Sequence, residues 1–185
     1  MNATVRVIKR KRIYRGRIFE LVHDTLSIGG RQVTRDSILH PGAVVILPIR
    51  DDGRVVFVRQ YRHAVGKWLL ELPAGTLEPG ESPVRCARRE LQEETGYLAR
   101  HLKRMTQFYS APGFVSERLT LFLATDLQKT VARPEHDELL HVVTLTLPQA
   151  IQAIKPGRIC DAKSLIGIML LAQRRGSLAP TPFLL

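Results

Sequence analysis

One helix in this chain is specified from end to end, and it limits what the rest can fold into. Ser82 is a good N-cap, Pro83 suits the first helical position and Gly96 suits the position just past the end, which predicts a helix over residues 83–95. Val84, Ala87 and Leu91 fall on one apolar stripe. Elsewhere on the helix, Glu90, Glu93 and Glu94 stand at i, i+3 and i+4, so Glu90 and Glu94 share a face with Glu93 close beside them. Like charges placed this way repel. A helix tolerates them if the face is solvated or if a cation sits among the carboxylates, and the helix alone leaves both readings open.

Outside this helix the chain up to residue 145 reads as strand and turn. Ile18–Val22 and Gln32–Thr34 flank Gly29-Gly30, whose glycines supply the positive φ of a hairpin turn within residues 17–39. Ala43–Leu47 is a continuous apolar run, as expected of a strand buried on both faces. Asp51-Asp52-Gly53 is a turn, with Val55–Val58 expected as the paired strand beyond it. Further strands are expected at Trp68–Leu72, Leu102–Tyr109, Leu119–Thr125 and Leu139–Leu145. Two more helices follow, over 147–154 and 162–174, the second capped by Asp161 and with Gly176 beyond its end. At 185 residues this is one domain with a small appendage, of α+β sandwich type. The divisions expected are an N-terminal arm and hairpin (1–40), the main domain (41–176) and a tail (177–185).

Charge narrows the partners. The chain carries 28 Lys and Arg against 17 Asp and Glu, a formal +11. Residues 1–35 hold nine of the cations (Arg6, Lys9, Arg10, Lys11, Arg12, Arg15, Arg17, Arg31, Arg35) against Glu20 and Asp24, so +7 of the +11 lies there. Such an excess suits nucleic acid, a membrane surface or a small anion. No aromatic interleaving for base stacking accompanies the cluster, which reads as a solvated arm or strand edge, and nucleic acid is not the expected partner. The longest apolar run, Leu165–Ala172, is too short to span a bilayer, and the first residues lead into charge rather than an apolar leader. Two cysteines, Cys86 and Cys160, make no disulfide framework and fit a reducing, cytoplasmic setting.

The helix sits inside a longer spacing. Gly75, Glu81, Arg89-Glu90-Leu91, Glu93-Glu94, Gly96 and Tyr97 match G-x5-E-x7-R-E-U-x-E-E-x-G-U, where U is apolar, with Tyr97 the softest position. Seven fixed Gly, Glu and Arg positions within 23 residues make this a specific signal. By it the chain resembles the Nudix hydrolases. It resembles their ADP-ribose pyrophosphatases in particular: Glu71-Leu72-Pro73-Ala74-Gly75 precedes the box, Arg59-Gln60-Tyr61-Arg62 matches an upstream stretch, Pro112 stands sixteen residues after Gly96, and Asp161-Ala162-Lys163-Ser164 resembles the opening of the last helix.

The resemblance implies a Nudix fold, an α/β/α sandwich with a mixed central sheet, plus a small N-terminal antiparallel sheet. It implies hydrolysis of ADP-ribose to AMP and ribose 5-phosphate with Mg²⁺, or Mn²⁺ in its place. Carboxylates on a helix face are hard ligands for such ions, which neutralise a diphosphate and acidify a bound water. The Ala74 carbonyl, Glu90 and Glu94 would bind metal with Glu93 assisting, so Glu93 and Glu94 are also catalytic candidates, and Glu81 would support the site. Arg89 would orient a box carboxylate, and the Gly75–Gly80 loop would turn tightly before the helix. The base would lie in Glu135-His136-Asp137-Glu138, first Glu135 and then Glu138, with Glu117 a weaker candidate. Arg62 would contact phosphate or the terminal ribose, with Arg35, Glu71, Pro112 and Phe19 completing the substrate set and Phe19 or Tyr14 stacking on adenine. Members are usually homodimers exchanging the N-terminal sheet, so Arg35 and Phe19 would serve the partner's site. Trp68 would anchor a dimer or a core, and Cys86 is a small buried residue. Two alternatives remain: another nucleoside diphosphate sugar such as GDP-mannose, or a non-catalytic nucleotide- or RNA-binding module.

Overall fold

The computed structural model describes residues 4–133 and 139–176. The box helix, α1 (Pro83–Thr95), has the predicted ends. Ser82 Oγ accepts from the Arg85 amide at 3.4 Å, and Gly96, at φ 68°, turns its own amide back to the Gln92 carbonyl. The buried side of α1 is Cys86, Ala87, Leu91, Glu94 and Thr95. Val84 is exposed, so the expected stripe is rotated: Cys86 takes the place given to Val84.

Before the box helix come β4 (Ala43–Pro48), β5 (Val55–Arg62), β6 (Lys67–Glu71) and β7 (Ala74–Thr76), preceded by β1 (Val5–Arg15), β2 (Glu20–Ile28) and β3 (Arg31–Leu39). After it come β8 (Tyr97–Tyr109), β9 (Arg118–Lys129), β10 (Leu140–Leu145), α2 (Leu147–Ile154) and α3 (Ala162–Arg174). The strands form three sheets, in the orders β1-β2-β3, β10-β5-β6 and β7-β4-β9-β8.

The last of these is the mixed sheet, with β4 parallel to β9 and antiparallel to β7. Every residue of β4 is buried, because alternate side chains face two different layers. Val44 and Ile46 pack with Cys86, Ala87 and Leu91 of α1. Ala43, Val45 and Leu47 pack with Phe57, Leu72, Leu121, Ile168 and Leu171, in the layer that α2 and α3 close.

The expected pairing of the strands flanking Asp51-Asp52-Gly53 is overturned. The turn exists, but β4 and β5 join different sheets, and the turn carries only an Ile49–Val55 bridge between them. All of β4 and the Val55–Val58 half of β5 are apolar and buried, so each needs cover on two faces, and a simple hairpin would leave one face of each bare. The basic arm takes the strand-edge alternative. It is β1, an eleven-residue strand with every side chain exposed, held on β2 with Arg10 forked onto Asp24 at 2.8 and 2.7 Å.

Candidate active site

Three short links bring the site together. The β6 strand ends at Glu71, and the chain passes through buried Leu72 and Pro73 into Ala74 and Gly75 of β7. From the far side, the first turn of α3 reaches this segment: buried Ser164 accepts the Leu72 amide on its hydroxyl at 2.7 Å. Ala74 in turn donates its amide to Glu94 Oε2 at 3.1 Å, fixing the segment to the box helix.

Gly75 has a reason other than turning. Its φ is not positive, whereas Gly80 does carry the positive φ (76°) of the loop. A Cβ built on Gly75 would coincide with the Glu90 carboxyl group. The glycine therefore leaves the space in which Glu90 lies against the β7 backbone.

Arg89 gathers the remaining acids. Its Nε and Nη2 donate to the two oxygens of Glu81, both at 3.0 Å, and Nη1 donates to Glu90 Oε1 at 2.7 Å and Glu93 Oε2 at 3.0 Å. The fork holds the Glu81 carboxyl down at about 2 despite its partial burial, and these acids raise the guanidinium in return. Burial pushes the neighbouring Cys86 thiol up, so it is no nucleophile.

A cleft of about 370 Å³ opens beside this knot, lined among others by Arg62, Glu71, Ala74, Glu117, Asp161 and Lys163. A second lobe continues over Gly75, Arg89 and Glu90, and Arg62, Ala74, Gly75 and Ile18 line both. Glu71, 1% exposed, takes Arg62 Nε at 3.0 Å and Nη2 at 2.8 Å, and also binds Lys163 Nζ. Burial would raise this carboxyl, but the two cations outweigh it and hold it below the usual carboxylate range. The sequence marks Asp161 as a helix cap and Lys163 as part of the Asp161–Ser164 motif, with no role for either in a cleft. Their position on the last helix, far along the chain, hid their place in this cleft. Glu117 lies in the cleft with its Oε1 3.9 Å from His40 Nε2, and His40 Nδ1 accepts the Gly42 amide.

The cleft thus unites Arg62, Glu71, Ala74 and Glu90, with Glu93 and Glu94 behind Glu90. Arg35, Phe19 and Pro112 are not among the residues lining it. Arg35 is exposed on β3 and bonds the Thr34 carbonyl, Phe19 packs on Tyr14 with centroids 5.9 Å apart, and Pro112 is exposed on the turn after β8. Glu135 and Glu138 lie outside the described residues. Trp68 is on the surface beside Tyr61 and stacked on His141, so it anchors no core.

The donor set suits a hard divalent ion, being carboxylate oxygens beside a backbone carbonyl, and the missing Cβ at Gly75 brings Glu90 to that backbone. In the arrangement seen, no three acidic, histidine or cysteine groups converge on one point among the described residues. The cause is visible: Glu90 and Glu93 are turned onto Arg89 and Glu94 onto the Ala74 amide.

Residues 39–165 match the NUDIX domain model. The chain belongs to the Nudix hydrolase family. Curated Nudix relatives include the ADP-ribose pyrophosphatase of Bacillus subtilis (strain 168), 37% identical over 90% of this chain and 91% of that one. The methanol dehydrogenase activator of Bacillus methanolicus is 38% identical over the same shares. The GDP-mannose pyrophosphatase of Enterobacter sp. (strain 638) is 36% identical over 70% of this chain and 72% of its own. The crystal structure of an ADP compounds hydrolase superposes with TM-score 0.81 at 24% identity, covering 96% of this chain and 98% of that one, which establishes the shared fold. Nudix hydrolases generally use a divalent metal. No helix among the described residues is long and apolar enough to cross a membrane.

Proposed function

We propose that the chain hydrolyses ADP-ribose to AMP and ribose 5-phosphate, one water being consumed at the diphosphate. The observation that carries this reading is a pair of adjoining pockets that share Arg62, Ala74 and Gly75, one lined by Arg89 and Glu90 and the other by Glu71 and Lys163. A diphosphate spans such a pair with one phosphate toward the acids and the other toward Arg62. Mg²⁺, or Mn²⁺, bound by Glu90, Glu94 and the Ala74 carbonyl with Glu93 assisting, would supply charge neutralisation and an acidified water. Arg62 presents a planar fork suited to phosphate. Glu71 is buried, so it serves by holding Arg62 rather than by touching substrate. The base is Glu135 or Glu138, with Glu117 as the rival inside the cleft. ADP-ribose is favoured by Pro112, the Glu71–Gly75 stretch and the Bacillus subtilis relative.

A homodimer through the N-terminal sheet would let Arg35 and Phe19 reach the partner's cleft. The exposed apolar side chains of β1 support it: Val5, Val7, Ile8, Ile13 and Tyr14. Both thiols are free, as suits a cytoplasmic protein. GDP-mannose is the second reading, favoured by the Enterobacter relative.

The test is a panel of ADP-ribose, GDP-mannose, ADP-glucose and NADH with Mg²⁺, products separated by chromatography. ADP-ribose should show the highest kcat/KM and yield AMP. Glu94→Gln keeps an oxygen for the Ala74 amide but should lose about 100-fold or more in activity. Preference for GDP-mannose, or an unaffected Glu94→Gln, would sink the reading.

A further inference from the structure

The charges at the floor of the cleft do more than hold the fold. Arg62 is 39% exposed in its side chain, yet two of its nitrogens are committed to Glu71. Glu71 is a buried carboxylate, and a buried charge with one incomplete partner draws that partner in. Its second cation is Lys163, which also donates to Asp161 Oδ1 at 2.9 Å. Asp161 is itself short of donors. Its Oδ1 serves both Lys163 and the Ser164 amide, while Oδ2 is buried without a hydrogen-bond partner among the described residues. The cluster therefore holds two carboxylates and two cations, formally neutral. The field of Asp161, like those of Glu71 and Glu94, acts on Arg62.

We propose that Lys163 is a positioning residue for Arg62: by bridging Glu71 and Asp161 and offsetting half of their charge it leaves the guanidinium able to share its charge with a phosphate in the cleft. Without Lys163 the cluster carries a net negative charge, and Arg62 is its remaining cation. The guanidinium is then held by two under-compensated acids, and an anionic ligand meets a repulsive floor. The role rests on the diphosphate reading above and assigns work to the Asp161–Ser164 motif that the metal chemistry does not use.

Five full-length proteins test it: wild type, Lys163→Met, Lys163→Arg, Arg62→Met, and Lys163→Met combined with Arg62→Met, which is compared with Arg62→Met alone. On the nucleoside diphosphate sugar that wild type turns over fastest, Lys163→Met should raise KM about tenfold with kcat changed less than about threefold. Lys163→Arg should restore KM to within about threefold, and in the Arg62→Met background the Lys163 change should add nothing. Titration of ADP in chelator-treated buffer reads the same point without turnover, with Kd weakened about tenfold by Lys163→Met in the wild-type background, restored by Lys163→Arg, and not weakened further by Lys163→Met once Arg62 is methionine. Hydrolysis of none of the sugars by wild type would defeat the functional reading, while the ADP titration would still decide on Lys163. The proposal is overturned if ADP binds wild type and Lys163→Met alike or binds neither. It is equally overturned if the Lys163 effect persists without Arg62, or if Lys163→Met lowers kcat and melting temperature together with no rescue by arginine.

Discussion

Gly75 shows how one absent atom can define a site. The Glu90 carboxyl occupies the place of a Cβ, so Gly75→Ala must push Glu90 away. The displaced group is the end of a flexible side chain, so the fold should survive with a loss of no more than about 2 kcal/mol. Activity should fall far more, about 100-fold, because a carboxylate proposed to hold metal has been moved. A melting curve and an AMP-release assay on the same preparation check the split, and equal small losses in both would refute it. Glu81 offers a second test at this scale. Its folded carboxyl titrates at about 2, well below its ordinary 4.5, chiefly through the Arg89 fork. A depressed carboxylate stabilises the fold above its unfolded value and loses that contribution as pH falls. In the metal-free protein, the melting-temperature advantage of wild type over Glu81→Gln should be full above pH 4.5 and vanish toward pH 2. A constant advantage across that range would show that the fork is not the cause.

Among the elements, the helices follow local rules and the sheets do not. Ser82→Ala removes the oxygen that receives the Arg85 amide, and should cost about 1 kcal/mol, seen as a lower denaturant midpoint at unchanged slope. The ends of α1 and the start of α3 were legible because caps are written in neighbouring residues, Ser82 with Gly96 and Asp161, whereas the capping box of Thr146 with Gln149 at α2 emerged only in the structure. Strand partners are written locally only where a tight turn joins them, as Gly29-Gly30 joins β2 to β3. The β4 run was readable as doubly buried, but its partners are β7 and a β9 that lies beyond the box, so the nearby β5 looked like the natural mate. The three residues of β7 are too few to show a period at all. For the site, the box spacing revealed the acids, since all lie on one helix. The cleft behind Arg62 was hidden because Glu71 and Lys163 are 92 positions apart and meet only when α3 packs on β6.

The whole molecule shows a division of charge. The surplus +7 of the first 35 residues is laid out on a three-stranded sheet whose outer strand exposes isoleucine, valine and tyrosine among its arginines. Such a surface is unusual for a monomer and suited to a second copy. Light scattering should return twice the chain mass, and removal of residues 1–15 should return the single chain. A monomeric full-length protein would end the dimer reading and leave Arg35 and Phe19 without a role. The clasp between Ser164 and the Leu72 amide has a different consequence, one for protein engineering. The box is not a portable cassette. A fragment ending soon after α1 would keep every acidic residue of the motif and lose the support that aligns Ala74 and Gly75 beneath them. Grafts of this motif into other scaffolds should therefore carry residues 161–164 along with it, or replace them with an equivalent brace.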